Sequence, residues 1–501
     1  MSVLELLNSI RSDSGPRRTL GLPDETIERF AVLDPTLAEA VEAAREQLDA
    51  LMEEFPDLMA MDEAEQVRTV QEGIVNFYPG TSVNPYLSLA ARGPWIVTTK
   101  GAVVHDNGGY GMLGFGHVPD PILEAMSRPQ VMANVMTPSA NQYRLVEVLK
   151  KEIGRNRESG CPFSHFLAMN SGSESVEVAA RIADINAKIM TDPGGRYDGK
   201  RVRKLSLVGG FHGRTARPAQ FSDSTAAAYR AHLATFRDSD ELITVPPNDV
   251  EALEAVFRAA EDEDVFIEAL FMEPVMGEGD PGMGVEPQFY AAARELTEAH
   301  GSLLLMDSIQ AGLRATGNLS VVDYPGFEGL PAPDMETYSK ALNAGQYPLS
   351  ILAMNERAAG LYRTGVYGNT MTATPRAMDV GTAVLEMVTD EVRANIVERG
   401  EEVLEKLQAL ADELGGPITK VQGTGLLFSC ELDPSYTAYG VDSTEEYMRL
   451  HGVGVIHGGE NSLRFTPHFE VTSEEIDLLV EHVRDAMVNG PRKAVAAPAS
   501  A

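Results

Sequence analysis

Between about 120 and 375 the sequence alternates short, almost wholly apolar runs with segments of helical periodicity. The runs are SHFLAMN (164–170), KLSLVGG (204–210), ALFMEPV (269–275) and SLLLMD (302–307). A strand without polar alternation is covered on both faces, and strands separated by helices pair side by side through crossovers. The fold class that follows is α/β, a mostly parallel central sheet sandwiched by helices.

The flanks read differently. Residues 1–75 are helical and acidic in pattern; in PTLAEAVEAAREQLDALMEEF (35–55), Leu37, Val41, Ala44, Leu48 and Leu51 recur at helical spacing. That is an amphipathic packing helix rather than a catalytic element. PWIVTTKGAVVHDNGGYGMLGFGH (94–117) breaks β-branched runs with Gly and Asn-Gly, which predicts strands and turns. Its histidines, His105 and His117, are expected to satisfy structural hydrogen bonds rather than to act in chemistry. After 380, two helical patterns precede GTGLLFSCEL and GVGVIHGGENSLRFTP, and SEEIDLLVEHVRDAM closes the chain as a last helix. The expected division is an N-terminal helical extension and strand segment (1–118), a large domain (119–378), a smaller α+β domain (379–490) and a disordered tail (491–501).

Composition narrows the partners. The 41 basic and 74 acidic side chains give a net charge of −33, which disfavours nucleic acid and anionic membranes and also suits a high-salt cytoplasm. Two cysteines far apart, Cys161 and Cys430, argue for a reducing compartment and against a disulfide framework. The start MSVLELLNSIRSDSG lacks a basic group followed by an apolar stretch, and no apolar run reaches membrane-spanning length. A cytoplasmic location is expected.

The chemistry lies where apolar runs end. Asn170-Ser171-Gly172-Ser173-Glu174 closes one run and opens a helix whose Val176, Ala179, Ala180 and Ala183 form an apolar face. The free N–H groups and positive dipole end of a helix N-terminus suit a phosphate; simple capping, with Ser173 and Glu177, is the plainer reading. Phe211 follows KLSLVGG within FHGRT, where an aromatic can stack on a ring lying outside the sheet, although a lone Phe is more often core. Arg214 in the same motif can grip a carboxylate bidentately. Asp307 ends SLLLMD, and a carboxylate there needs a partner. A protonated pyridine nitrogen is one, a metal is another, and no His/Cys/carboxylate set has ligand spacing nearby. Gln310, three residues on, can reach a ring hydroxyl. Lys340, between an apolar-aromatic run and a Gly/Asn/Pro-rich loop, can be desolvated into an imine-forming amine, though most lysines only solvate a surface. In this order the four motifs supply what a pyridoxal 5′-phosphate enzyme needs.

From about 95 to 488 the sequence resembles the class III (ω-) aminotransferases, pyridoxal-phosphate enzymes of fold type I. The resemblance implies a phosphate site at Ser171, Gly172 and Ser173, a stacked ring at Phe211, a ring-nitrogen carboxylate at Asp307 with Gln310, and a Schiff-base lysine at Lys340. It implies a phosphate-binding threonine, Thr370 in GNTMTATP, reaching across a homodimer with shared active sites. EPVMGEGD supplies Glu273 and Glu278, and SLRFTP supplies a carboxylate-binding arginine, Arg464. The pattern departs from the family in several places. Ser308 stands for a usual Glu, Met276 for a usual Gln and Thr372-Ala373-Thr374 for Gly-Gly-Asn, while Arg314 in AGLRATG is displaced.

The activity implied is transfer of a terminal amino group from an ω-amino or diamino acid (4-aminobutyrate, lysine or ornithine type) to 2-oxoglutarate. Arg214 would hold the distal carboxylate of the donor and Arg464 the α-carboxylate of the oxo acid, with Glu278 masking Arg464 while the donor is bound. The same scaffold also serves racemases, aminomutases and decarboxylases, which need no two-substrate switch. A non-catalytic binding paralogue would have no need of Lys340, Asp307 and Thr370. No metal is expected.

Overall fold

The computed structural model describes residues 1–108, 110–134, 136–237 and 240–493. Residues 494–501, in the tail expected to be disordered, lie outside the described residues. Two compact units form. Among the described residues, one comprises those of 1–120, 398–422 and 428–493; the other comprises those of 121–397 and 423–427.

The second unit is built on a seven-stranded sheet. Its strands are β1 (His165–Met169), β2 (Arg201–Leu207), β3 (Leu242–Val245), β4 (Val265–Met272), β5 (Leu303–Asp307), β6 (Met335–Tyr338) and β7 (Ser350–Met354). Their spatial order is β1-β7-β6-β5-β4-β2-β3. The pairs from β6 to β3 are parallel, and β7 runs antiparallel to both its neighbours. All four apolar runs of the sequence fall in this sheet. Every residue of β4, β5, β6 and β7 is buried, as strands covered on both faces demand, including the few polar ones such as Glu268, Asp307 and Glu336. Helix α1 (Gly172–Thr191) packs Val176, Ala179, Ala180 and Ala183, all wholly buried, into a cluster with Phe271, Leu305 and Leu352. Small side chains on that face let the helix lie close to the sheet. Because β2, β4, β5 and β6 run parallel, their carboxyl ends share one edge, where ligands of open α/β sheets bind.

In the first unit the strands Ser88–Arg92, Trp95–Thr98, Val103–Asp106 and Val453–Gly454 form one sheet; a second sheet is formed by Ile418–Thr424 and Leu427–Leu432, which belong to this unit except at residues 423–427, with Ser462–Phe465 and Ile456–Gly458. The helix Pro35–Glu54 buries Leu37, Ala40, Val41, Ala44 and Leu48 against the first sheet, while Leu51 is half-buried. Polar contacts also bind the N-terminal segment to that sheet. Trp95 Nε1 donates to Asp34 Oδ2 at 2.6 Å, and the buried Lys100 Nζ donates to the carbonyls of Ser14 and Met61, each at 2.7 Å. His105 and His468 both hydrogen-bond Glu475 Oε1, at 2.9 and 3.0 Å, inside this unit, and His117 bonds Asp106 Oδ2 at 3.1 Å. Among the described residues no helix is long and apolar enough to cross a membrane.

Candidate active site

The turn after β1 makes a helix N-terminus with its own cap. Ser171 Oγ accepts from Glu174 N, and Glu174 Oε2 accepts from Ser171 N at 3.0 Å, a reciprocal capping box. The cap is therefore Ser171 with Glu174, not Ser173 with Glu177. Ser350 Oγ on β7 donates to Ser171 O at 2.6 Å, so the antiparallel strand anchors this turn. Ser173 is left to face another loop: its Oγ accepts from Arg214 N at 3.3 Å and its carbonyl from Thr215 Oγ1 at 3.1 Å. Glu174 N is taken up by Ser171, whereas the amides of Gly172 and Ser173, at the first two helical positions, have no acceptor within the helix.

At the ends of β5 and β6 five side chains converge. Asp307 Oδ2 is 2.9 Å from His212 Nδ1, and its Oδ1 accepts from Thr337 Oγ1 at 3.2 Å and Ile309 N at 3.3 Å. His212 is buried, and among the described residues its Nε2 has no hydrogen-bond partner. Two residues past β6, Lys340 adopts φ 41°, in the left-handed region that an L side chain enters only at some cost in strain. Ser339 Oγ donates to Leu349 O at 2.8 Å beside it. Lys340 Nζ donates to Gln310 Oε1 at 2.6 Å, and Gln310 Nε2 donates to Gly277 O at 3.3 Å. A Cβ on Gly277 would lie 2.4 Å from Gln310 Cδ, so any larger residue there would push the Gln310 amide from this position.

The loop after β2 closes over these strand ends. Phe211 is half-buried, its N–H donates to Glu273 Oε1 at 3.0 Å, and the Arg214 guanidinium lies over its ring at 5.2 Å. Glu273, just past β4, also accepts from Gly277 N at 2.9 Å. Burial, helped by the Asp307 charge, outweighs the pull of the nearby His212 and the two amides and leaves its carboxyl pushed up to about 7.

The remaining candidates are placed as follows. Glu278 sits half-buried on the loop after β4, and Arg214 is exposed. Thr370 is exposed on a turn held by Asn369, whose Nδ2 donates to Glu174 Oε1 at 2.9 Å in the same chain. Arg464 belongs to the other unit, fully buried in the strand Ser462–Phe465 with its guanidinium 5.2 Å from the Tyr110 ring centroid. Sequence reasoning missed His212, Thr337 and Asn369. His212 lay in plain view beside Phe211, but only the pairing of strand ends shows that it meets Asp307.

Pyridoxal phosphate fits this donor set. The buried carboxylate with imidazole and hydroxyl support suits a protonated ring nitrogen, the helix terminus suits a phosphate, and a primary amine stands two residues past β6. The His212 Nε2, unpartnered among the described residues, and the close approach of Gly277 to Gln310 suit a closely fitted polar cradle.

Comparison with known proteins agrees. The family model described as aminotransferase class-III matches residues 79–487. Acetylornithine aminotransferase of Neisseria meningitidis is 27% identical over 408 residues, 79% of this chain and 93% of its own length. Ornithine aminotransferase 2 of Staphylococcus aureus is 27% identical over 411 residues, 80% and 93% of the two chains. Ornithine aminotransferase of Toxoplasma gondii shares the fold with a TM-score of 0.71 at 22% identity, over 87% of this chain and 97% of its own. Acetylornithine aminotransferase of Elizabethkingia anophelis does so at 0.67 and 23%, over 85% and 99%. With most of its length matched to that one family, the chain belongs to the class-III aminotransferases and is a pyridoxal-phosphate-dependent transaminase.

Proposed function

We propose that this transaminase moves the terminal amino group of a diamino acid of the ornithine type to 2-oxoglutarate, as a cytoplasmic homodimer. The observation that carries the residue assignment is Lys340 Nζ at 2.6 Å from Gln310 Oε1, three residues past the His212-bound Asp307. The donor class is supported by relatives named for ornithine and acetylornithine. Two unpaired cysteines fit a reducing compartment.

Bound, the cofactor supplies an electron sink for removing a proton from the amine-bearing carbon. Lys340 Nζ carries the cofactor between turnovers and moves that proton. Asp307 keeps the ring nitrogen protonated, and His212 Nδ1, Thr337 Oγ1 and Ile309 N hold its two oxygens in place. The α1 terminus at Ser171, Gly172 and Ser173 holds the phosphate, and Phe211 covers the ring. Thr370, exposed on its own chain, offers its hydroxyl to the phosphate of a second copy. Arg214 takes the donor carboxylate and Arg464 the α-carboxylate of 2-oxoglutarate, with Glu278 governing which acid is accepted.

A donor panel of ornithine, N-acetylornithine, lysine and 4-aminobutyrate with 2-oxoglutarate, scored by glutamate formation, tests the reading. The highest kcat/KM is expected with ornithine or its acetyl derivative. Turnover of α-amines only, or of 4-aminobutyrate far above the diamino acids, would reject the donor class.

A further inference from the structure

Strand β6 carries a carboxyl where its neighbours give it no counter-charge. In the β5–β6 register Asp307 pairs with Thr337 and Met306 with Glu336. Thr337 therefore shares the face of Asp307, and Glu336 projects from the opposite face of the sheet. Glu336 is wholly buried. Its Oε1 accepts from Ser308 Oγ at 2.5 Å and Val321 N at 2.9 Å, and its Oε2 accepts from Ser320 Oγ at 2.5 Å. Among the described residues it forms no ion pair, and burial pushes its carboxyl up to about 7 against the pull of these donors. A carboxyl in that setting is costly, and an apolar side chain facing apolar neighbours would fill the same space without the desolvation. Stability alone does not explain it.

Its three bonds explain it better. Ser308 directly follows Asp307 and stands two residues before Gln310; Glu336 stands four residues before Lys340. The Glu336–Ser308 bond thus ties the strand end that bears Asp307 and Gln310 to the strand that delivers Lys340, from the side away from the site. The Lys340–Gln310 contact depends on the relative height of those two strand ends. We propose that Glu336 is a positioning residue, fastening Ser308 and the 320–321 turn to β6 so that Lys340 stays in register with Asp307 and Gln310. The proposal rests on the roles given above to Lys340 and Asp307.

The test compares Glu336→Gln, Glu336→Ala, Ser308→Ala and the double variant Ser308→Glu/Glu336→Ala. The last returns a carboxyl to the same buried spot from the other strand. Three readouts are taken: kcat and KM of the holoenzyme, the pH midpoint of its visible absorption band, and thermal unfolding of the cofactor-free protein. Since misplacing reacting groups by about 1 Å can cost on the order of 100-fold, Glu336→Ala should lower kcat by about that factor. Ser308→Ala and Glu336→Gln should lose about tenfold, with KM little changed and the band midpoint displaced. The double variant should recover at least about tenfold of what Glu336→Ala loses. Lowered unfolding temperatures with kcat and band midpoint unaltered would overturn the proposal, as would a double variant no better than Glu336→Ala. If Glu336→Ala does not fold, Ser308→Ala and Glu336→Gln decide by the same criteria. Asp307→Asn and Lys340→Ala are run alongside. Their retaining turnover would remove the underlying site assignment, whereas their losing it while the Glu336 variants keep it removes this proposal alone.

Discussion

Gly213 is the position where a single methyl group should separate cofactor binding from folding. Its φ of 108° lies where side chains other than glycine are strained, at a cost of roughly 1–3 kcal/mol. A Cβ there would meet Ser173 Oγ at 2.5 Å and the Cα and Cβ of Ser173 at 3.0 Å. The hydroxyl can rotate away, giving up the Arg214 N–H bond for about 0.5–1.5 kcal/mol, but the Cα belongs to the first turn of α1 and cannot. The FHGRT loop must therefore move off the helix terminus that the phosphate reading requires. The two terms sum to on the order of 2–4 kcal/mol. If most of it falls on the holo state, the cofactor dissociation constant of Gly213→Ala rises by about 30- to 700-fold, at 1.4 kcal/mol per factor of ten.

Gly194→Ala supplies the control. It sits just past the other end of α1 with φ 86° and nothing within 4 Å of its Cβ, so it carries strain without contact. Titrating cofactor-free protein with pyridoxal phosphate, with unfolding temperatures measured in parallel, should show a small thermal loss for Gly194→Ala and unchanged affinity. For Gly213→Ala the affinity loss should dominate. A Gly213→Ala dissociation constant within about threefold of wild type, less than 1 kcal/mol, would refute the assignment of the Ser171–Ser173 turn to the phosphate.

Lys340→Ala should leave a folded protein with negligible turnover and without the visible band; near-normal turnover would place the amine elsewhere. Arg464→Ala should slow the half-reaction with 2-oxoglutarate more than that with the amine donor, because losing a desolvated arginine–carboxylate contact costs about 2–5 kcal/mol; stopped-flow rates that fall equally in both halves would reject the division. Mixing inactive Lys340→Ala with an inactive Thr370→Ala should restore one site per mixed dimer, and no recovery after verified subunit exchange would mean each site is built within one chain. In the His105–Glu475–His468 cluster, burial opposes both charges, but the mutual attraction leaves His468 above its ordinary 6.5 and Glu475 well below 4.5. The histidine's contribution to stability is lost as pH rises through its raised value, and the carboxylate's as pH falls through its lowered one. The unfolding-temperature gap between wild type and Glu475→Gln should therefore be widest between about pH 4.5 and 6.5, and a gap flat from pH 4 to 9 would contradict that coupling.

What the sequence made legible follows its periodicity. SHFLAMN, KLSLVGG, ALFMEPV and SLLLMD all lie in one sheet because an unbroken apolar run has no solvent face to offer. Three strands were not singled out. Leu242–Val245 and Met335–Tyr338 are four residues each, too short to show a period, and Met335–Tyr338 hides a glutamate in its middle. Ser350–Met354 sits between β1 and β6 as the one antiparallel member, and nothing in its composition marks direction. The helix cap is legible in spacing: Ser171 and Glu174 stand three residues apart, as a capping box requires, whereas Ser173 and Glu177 stand four apart, and the backbone adopts the first pair.

The polar pairs resist reading for a more general reason. His212 meets Asp307 across 95 positions, Asn369 meets Glu174 across 195, and Glu336 meets Ser308 across 28. Each partner is ordinary in its own window: a histidine after an aromatic, an asparagine in a turn, a glutamate inside a strand that should not hold one. The last is the exception that sequence reasoning can use. A charged residue within an apolar run is costly to bury, so its presence asks for donors on the adjoining strand ends. In this chain those donors lie beside Asp307, which is why an anomaly in the strand pattern points to the support of a site rather than to the site itself.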